Sequence, residues 1–232
     1  MEKHVTTSWR RSTVHERNER NERNERSQAA AVFDALGLRY EQAFAHSAAH
    51  RASLAWLSEQ LGPRSRVLDV GCGTGRPTAA ALAAAGHEVL GVDVSPVMVE
   101  LAARQVPEAV FRCADIRDLP LEDGSFDAVC VYFALLQMSR RDQEDVVRRL
   151  ARAVKPSGSV VLATVPLDVE DAEGVFLGRP VRVTSFAAED FADMVASAGL
   201  TVVTRQTLVF TPATPEAVPE PHLFLHCRRS VG

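Results

Sequence analysis

No stretch of the 232 residues is apolar over a membrane-spanning length, and the N-terminus carries neither an apolar signal core nor a small-residue cleavage site. Neither a membrane protein nor a secreted one is expected. A basic excess is missing too: 26 Lys and Arg face 30 Asp and Glu, for a formal charge of −4. Nucleic-acid binding rests on a cationic surface, so no nucleic-acid partner is expected. The four cysteines, Cys72, Cys113, Cys130 and Cys227, show no CxxC spacing. That argues against a metal site or a disulfide framework and predicts a reducing, cytoplasmic setting.

What is present is length for one full α/β domain and an ordinary 46% hydrophobic and 24% charged composition. Residues 1–30 read as a low-complexity tail. From Glu16 to Arg26 the triplet Glu-Arg-Asn repeats, and Glu16, Glu19 and Glu22 stand four residues before Arg20, Arg23 and Arg26. That order supports a solvated helix, but with no apolar face to bury a disordered tail fits equally. Each arginine has a glutamate neighbour, which disfavours a nucleic-acid arm. Residues 31–232 read as the folded domain, and its N-terminal helices are a candidate homo-oligomer contact.

Two helices open the domain. One holds Phe33, Leu36, Leu38, Tyr40 and Phe44; the other spans 46–60 and ends at Gly62-Pro63. Strands over 67–70, 88–93, 109–113, 126–131 and 159–165 then alternate with helices, which predicts a parallel sheet covered on both faces. Residues 155–158 read as a turn. Residues 166–185 break the rhythm and read as a long insertion over a ligand crevice, with Phe176, Leu177 and Val181 as an apolar wall. A helix over 186–198 and strands over 200–210 and 222–228 complete the chain. The last two strands are joined without a helix, which predicts an antiparallel pair.

The chain is organised around Val67-Leu68-Asp69-Val70-Gly71-Cys72-Gly73-Thr74-Gly75. A buried strand runs into a glycine turn and then a helix with Pro77 in its first turn. This arrangement lets a ligand lie on bare backbone at a helix N-terminus. A dinucleotide fingerprint needs a third glycine at position 76, where Arg76 stands. Asp93, closing the second strand, has the spacing of a ribose-binding acid and implies a ribose without a 2′-phosphate. An adenosine ligand lacking a pyrophosphate meets both conditions.

These residues occur with Gly91-Val92-Asp93-Val94-Ser95, Cys113-Ala114-Asp115-Ile116, Phe126-Asp127-Ala128-Val129 and Lys155-Pro156-Ser157-Gly158. Together they resemble the class I S-adenosylmethionine-dependent methyltransferases of small-molecule type, from about Phe33 to the C-terminus. The resemblance implies a doubly wound α/β fold with a seven-stranded, mostly parallel sheet and an antiparallel C-terminal strand. It implies S-adenosylmethionine as cofactor. Gly71 and Gly73 would meet its methionine part, with Cys72 between them as a small filler. Asp69 would order the loop and reach the ammonium through water. Asp93 and Val94 would lie at the ribose, Met98 behind them, and Asp115 and Ile116 at the adenine. Phe133 would line the transfer chamber and Tyr40 would close over the cofactor. Gln137 stands where similar members often carry a histidine.

Methyl transfer from a sulfonium is an in-line displacement in which positive charge disperses. Alignment in a water-poor site therefore matters more than acid–base chemistry, and aromatic faces such as Tyr40 and Phe133 can stabilise the sulfonium. The catalytic candidates are Tyr40, His46 and His50. The two histidines, four apart, would share a helix face, yet solvated or capping roles suit them, and Tyr40 suits the core equally well. His222 and His226 read as structural. The expected activity is methyl transfer to a small, apolar, secondary-metabolite-like molecule. A nicotinamide-dependent oxidoreductase is the alternative, opposed by Arg76 and by the lack of a Tyr-x-x-x-Lys pair. A non-catalytic cofactor-binding protein is the third reading.

Overall fold

The computed structural model describes residues 29–215 and 217–230; the Glu-Arg-Asn repeat lies outside them. Helix α1 occupies residues 29–36, so residues 29 and 30, assigned to the tail by sequence, are helical. Helices α2 (Leu38–Phe44) and α3 (Ala48–Gln60) follow. Ser47 caps α3, its hydroxyl accepting the His50 amide at 3.2 Å. His46 is therefore outside the helix and exposed, and it shares no helix face with His50. The cap falls between the two histidines, which overturns the pairing expected from their spacing.

Next come β1 (Arg66–Val70), α4 (Thr78–Ala84), β2 (Glu88–Asp93), α5 (Pro96–Gln105), β3 (Val110–Cys113), β4 (Phe126–Tyr132), α6 (Arg140–Ala153) and β5 (Val154–Thr164). The chain continues through β6 (Val169–Phe176), β7 (Arg179–Ser185), α7 (Ala188–Ser197), β8 (Leu200–Phe210) and β9 (Glu220–Arg229). Seven strands form one sheet in the order β3-β2-β1-β4-β5-β9-β8. Only β9 runs against its neighbours, pairing antiparallel with β5 and β8. The order reverses between β1 and β4, which opens a crevice at the carboxyl ends of those strands.

The central strands β1, β4 and β5 are buried on both faces because they carry near-continuous apolar runs rather than alternating ones, whereas the edge strands β3 and β8 are largely exposed. Leu68, Val70, Val129, Val131 and Leu162 meet α6 and α7 on one face, and Val67, Ala128, Cys130, Val161 and Phe224 form the core on the other. Each Leu or Phe so buried contributes roughly 1.5–3 kcal/mol. On the second face the alanines of α4 allow close approach, and Ala79 is fully buried. Among the described residues no helix is long and apolar enough to cross a membrane.

Two segments differ from expectation. Residues 155–158 are part of β5 rather than a free turn. Gly158 permits this, since a Cβ there would lie 2.7 Å from the Asp127 carbonyl oxygen. Residues 166–185 hold the hairpin β6–β7, a separate two-stranded sheet. Leu177 and Gly178, at φ 47° and 78°, make its two-residue turn. The hairpin packs on the N-terminal helices. Phe176 stacks on Phe44 at 5.9 Å and meets Tyr40 at 6.3 Å, while Val181 joins Val32 and Leu36.

Candidate functional site

The crevice begins where β1 ends. Gly71 and Gly73 have φ of 67° and 52°, a region that favours glycine, and a Cβ on Gly71 would lie 2.3 Å from that of Ala134. The amides of Gly71 and Cys72 donate to the Val92 carbonyl at 2.7 and 3.1 Å, tying the turn to β2. The Cys72 side chain is buried beneath the loop, its Cβ 3.0 Å from where a Cβ on Gly91 would sit. It faces the sheet and not the crevice, so only its backbone belongs to the cradle.

Three carboxylates surround this cradle. Asp93 Oδ2 accepts the Gly73 amide and its Oδ1 the Ser95 amide, each at 2.9 Å. Burial raises its pKa against the pull of those amides. Asp69 is 2% exposed, and its Oδ2 has no hydrogen-bond partner among the described residues. Burial, with help from the charge of Asp93, pushes the Asp69 carboxyl up to about 7. A buried, unpartnered carboxylate oxygen at a glycine cradle is chemically suited to a cationic group such as an ammonium. Asp115, at the far end, is gripped by Arg117, with Nη2 at 2.8 Å from Oδ2 and Nε at 3.1 Å from Oδ1. Arg117 also meets Asp142 at 3.1 Å. Sequence reasoning missed Arg117, although an arginine two residues after a candidate acid was there to be read.

The roof comes from α1 and α2, and two acids pin it. Asp34 accepts from the Ser95 hydroxyl at 2.6 Å and from the Val97 amide at 3.3 Å. Glu41 accepts from the Thr74 hydroxyl at 2.6 Å and from Gln105 at 2.9 Å. The Tyr40 ring then lies over the loop, Cε1 being 4.0 Å from where a Cβ on Gly73 would be. Burial pushes the Tyr40 hydroxyl above its ordinary range.

The structure thus brings Tyr40, Gly71, Gly73, Asp93, Val94, Met98, Asp115, Ile116 and Phe133 into the walls of one cleft. Asp69 lies beneath it and Cys72 turns away. A second cavity adjoins the first, and Tyr40 and Phe133 belong to both walls. Its remaining walls include Phe44, Ser47, His50, Arg76 and His222. His50 hydrogen-bonds Thr78 Oγ1 at 3.0 Å, and its ring lies 3.9 Å from that of Tyr132. Burial, then the nearby His222, pushes its pKa down to about 3, so it is neutral at pH 7. Neither cavity is lined by His46, Phe176, Leu177 or Val181. The apolar wall expected from the hairpin therefore braces the roof instead of facing a ligand.

Residues 67–158 match the family model of a methyltransferase domain. The chain is 32% identical over 200 residues to the malonyl-[acyl-carrier protein] O-methyltransferase of Halorhodospira halophila, covering 80% of this chain and 66% of that one. It is 30% identical over 146 residues to an O-methyltransferase of Penicillium expansum, covering 59% and 52%. The chain belongs to the class I S-adenosylmethionine-dependent methyltransferases. It spans about half to two thirds of the length of those two relatives. The chain also shares its fold with the 1,6-didemethyltoxoflavin-N1-methyltransferase of Burkholderia thailandensis, solved with 1,6-didemethyltoxoflavin and S-adenosylhomocysteine. The TM-score is 0.68 at 21% identity, covering 97% of this chain and 94% of that one. The family's cofactor is S-adenosylmethionine, and membership displaces the nicotinamide reading.

Proposed function

We propose that this methyltransferase transfers a methyl group from S-adenosylmethionine to a small, largely apolar acceptor held in the second cavity. The observation that carries the reading is the buried, unpartnered Asp69 oxygen beneath a glycine cradle, with Asp93 at one cradle amide. Asp69 holds the cofactor ammonium, directly or through water, and the Gly71–Gly73 backbone takes the methionine part. Asp93 accepts from the ribose hydroxyls. Asp115, oriented by Arg117, accepts from the adenine amino group, the Ile116 amide donates to the ring, and Met98 and Val94 supply apolar contact. Bound there, the cofactor supplies a methyl group on a good leaving group. Tyr40 and Phe133 stand at the boundary of the two cavities, where they exclude water and align acceptor and donor.

The test is calorimetry with S-adenosylhomocysteine, beside methyl transfer from labelled S-adenosylmethionine to a panel of phenols, amines and acids. One site per chain, no thermal stabilisation by NAD and at least one methylated acceptor are expected. A protein that does not bind S-adenosylhomocysteine contradicts the reading. The reading divides the chain into a tail and one catalytic domain. It places the protein in the cytoplasm, where its four unpaired thiols are stable. Self-association through the N-terminal helices is read from the solution mass of the chain with and without the residues before Ala29.

A further inference from the structure

Strand β9 opens with Glu220, Pro221 and His222, so the glutamate and the histidine point to the same face. Glu220 Oε1 lies 2.8 Å from His222 Nε2. The carboxylate accepts from Nε2–H, which leaves the lone pair on Nδ1. That Nδ1 is buried and has no hydrogen-bond partner among the described residues. The ring itself is 1% exposed, yet it forms part of the wall of the second cavity. A carboxylate that fixes one imidazole nitrogen while the other keeps its lone pair is the arrangement of an oriented general base.

The surroundings narrow the ligand. Phe133 meets the His222 ring at 4.4 Å and Phe210 stacks on it at 5.1 Å, while Phe44 stacks on Phe210 at 5.6 Å. Phe210 thus backs the wall, while Tyr40, Phe44 and Phe133 line the cavity itself, and aromatic walls of this kind suit a planar ring. The other charged or titratable groups at the cavity are His50 from α3, Tyr40 and Glu41 from α2, and Arg76 before α4. Glu41 is occupied by Thr74 and Gln105. His50 is engaged with the Thr78 hydroxyl. That leaves His222 as the base.

We propose that the second cavity binds a phenol-type acceptor and that His222, oriented by Glu220, takes the proton from its hydroxyl. The idea rests on the methyl-transfer reading above. The acceptor oxygen forms a bond to the methyl carbon, and the carbon–sulfur bond breaks with its electron pair remaining on sulfur. The hydroxyl proton passes to His222 Nδ1, and the imidazolium so formed is paired with Glu220 until it returns the proton to water. His222 is the catalytic residue and Glu220 a positioning residue.

The probe is 4-nitrophenol, which is yellow only as the anion, titrated into the cofactor-free protein and into its S-adenosylhomocysteine complex. The bound phenol is expected to ionise about one pH unit lower than the free phenol, because its proton has a neighbouring acceptor. His222→Gln should abolish the shift, and Glu220→Gln should shrink it. In turnover, His222→Gln should lose about 100-fold in kcat on ordinary phenols, and progressively less on acidic phenols that are already ionised. No shift in the wild-type protein, an unchanged shift in His222→Gln, or an equal kcat loss across the phenols overturns the proposal. So does a wild-type protein that methylates only amines or acids. Should His222→Gln fail to fold, Glu220→Gln decides, since its side chain is 26% exposed and its isosteric replacement disturbs no core packing. Loss of S-adenosylhomocysteine binding by the wild type would instead overturn the reading beneath it.

Discussion

The floor of the cofactor cleft is backbone and carboxylate, fixed by the sheet; its roof is a set of aromatic rings delivered by separate segments. Gly71, Gly73, Asp69 and Asp93 come from β1, β2 and the turn between β1 and α4, and adjacent parallel strands hold them in register. Phe33 and Tyr40, from α1 and α2, line the cleft, and Phe44 and the hairpin's Phe176 brace them through edge-to-face, tilted and stacked contacts. Among the described residues two acids, Asp34 and Glu41, hydrogen-bond the roof helices to the floor. A floor built on strand register tolerates no change of shape, whereas a roof built on ring contacts can be re-shaped for another acceptor. The contrast explains how one cofactor site can serve many acceptor chemistries.

The largest effect should follow from changing the floor's shape. Gly71→Val puts a side chain where a Cβ alone would be 2.3 Å from Ala134, on a backbone at φ 67°. S-adenosylhomocysteine affinity should fall by about 100-fold or more, with a loss of roughly 3 kcal/mol in stability. Calorimetry and thermal melting read the two effects. Intact binding would show that the floor yields as readily as the roof.

Acidity comes next. The Asp69 carboxyl is raised from 3.8 to about 7 in the folded, ligand-free protein. The folded state therefore keeps a proton that the unfolded chain releases. Its contribution to stability is full below 3.8, is lost as pH rises, and has levelled off above about 7. A ligand ammonium needs the ionised form, so S-adenosylhomocysteine should bind more tightly, by up to about tenfold per unit, as pH rises towards 7. Asp69→Asn should flatten both profiles. A pH-independent affinity in the wild type would remove Asp69 from the site.

Arg117→Ala tests the outer edge of the floor. Without the guanidinium the Asp115 carboxylate keeps the residue-117 amide at 2.8 Å but is held less rigidly, and cofactor affinity should drop about tenfold, equivalent to roughly 1.4 kcal/mol. Phe176→Ala tests the roof and should do least to the cofactor. It removes the ring that stacks on Phe44 and meets Tyr40. The hairpin should be cleaved faster by protease, stability should fall by about 1–2 kcal/mol, and S-adenosylhomocysteine affinity should change less than about threefold.

The floor was legible because its parts are close in sequence and chemically distinctive. A branched apolar run, glycines at 71, 73 and 75, and an acid ending the next strand place both the turn and Asp93. Strand β8 also falls at 200–210 as its pattern indicates. The roof was not legible. In β6 the run Glu170-Asp171-Ala172-Glu173-Gly174 shows no two-residue apolar rhythm, because that strand is solvated on most of its length. Asp34 and Glu41 look like ordinary helix-surface acids until folding brings them to Ser95 and Thr74, 61 and 33 residues away. The same holds for His222. Its spacing to His226 reads as a strand face, and only the structure places Glu220 on one nitrogen and leaves the other without a partner among the described residues.

The most direct test of the division is a calorimetric titration of S-adenosylhomocysteine into Asp93→Ala beside Phe44→Ala. Asp93 touches the cradle amide of Gly73 at 2.9 Å, and Phe44 lines only the second cavity. Asp93→Ala should weaken binding about 30-fold, near 2 kcal/mol, while Phe44→Ala stays within about twofold of the wild type. Equal losses in the two variants, or a larger loss in Phe44→Ala, would contradict it.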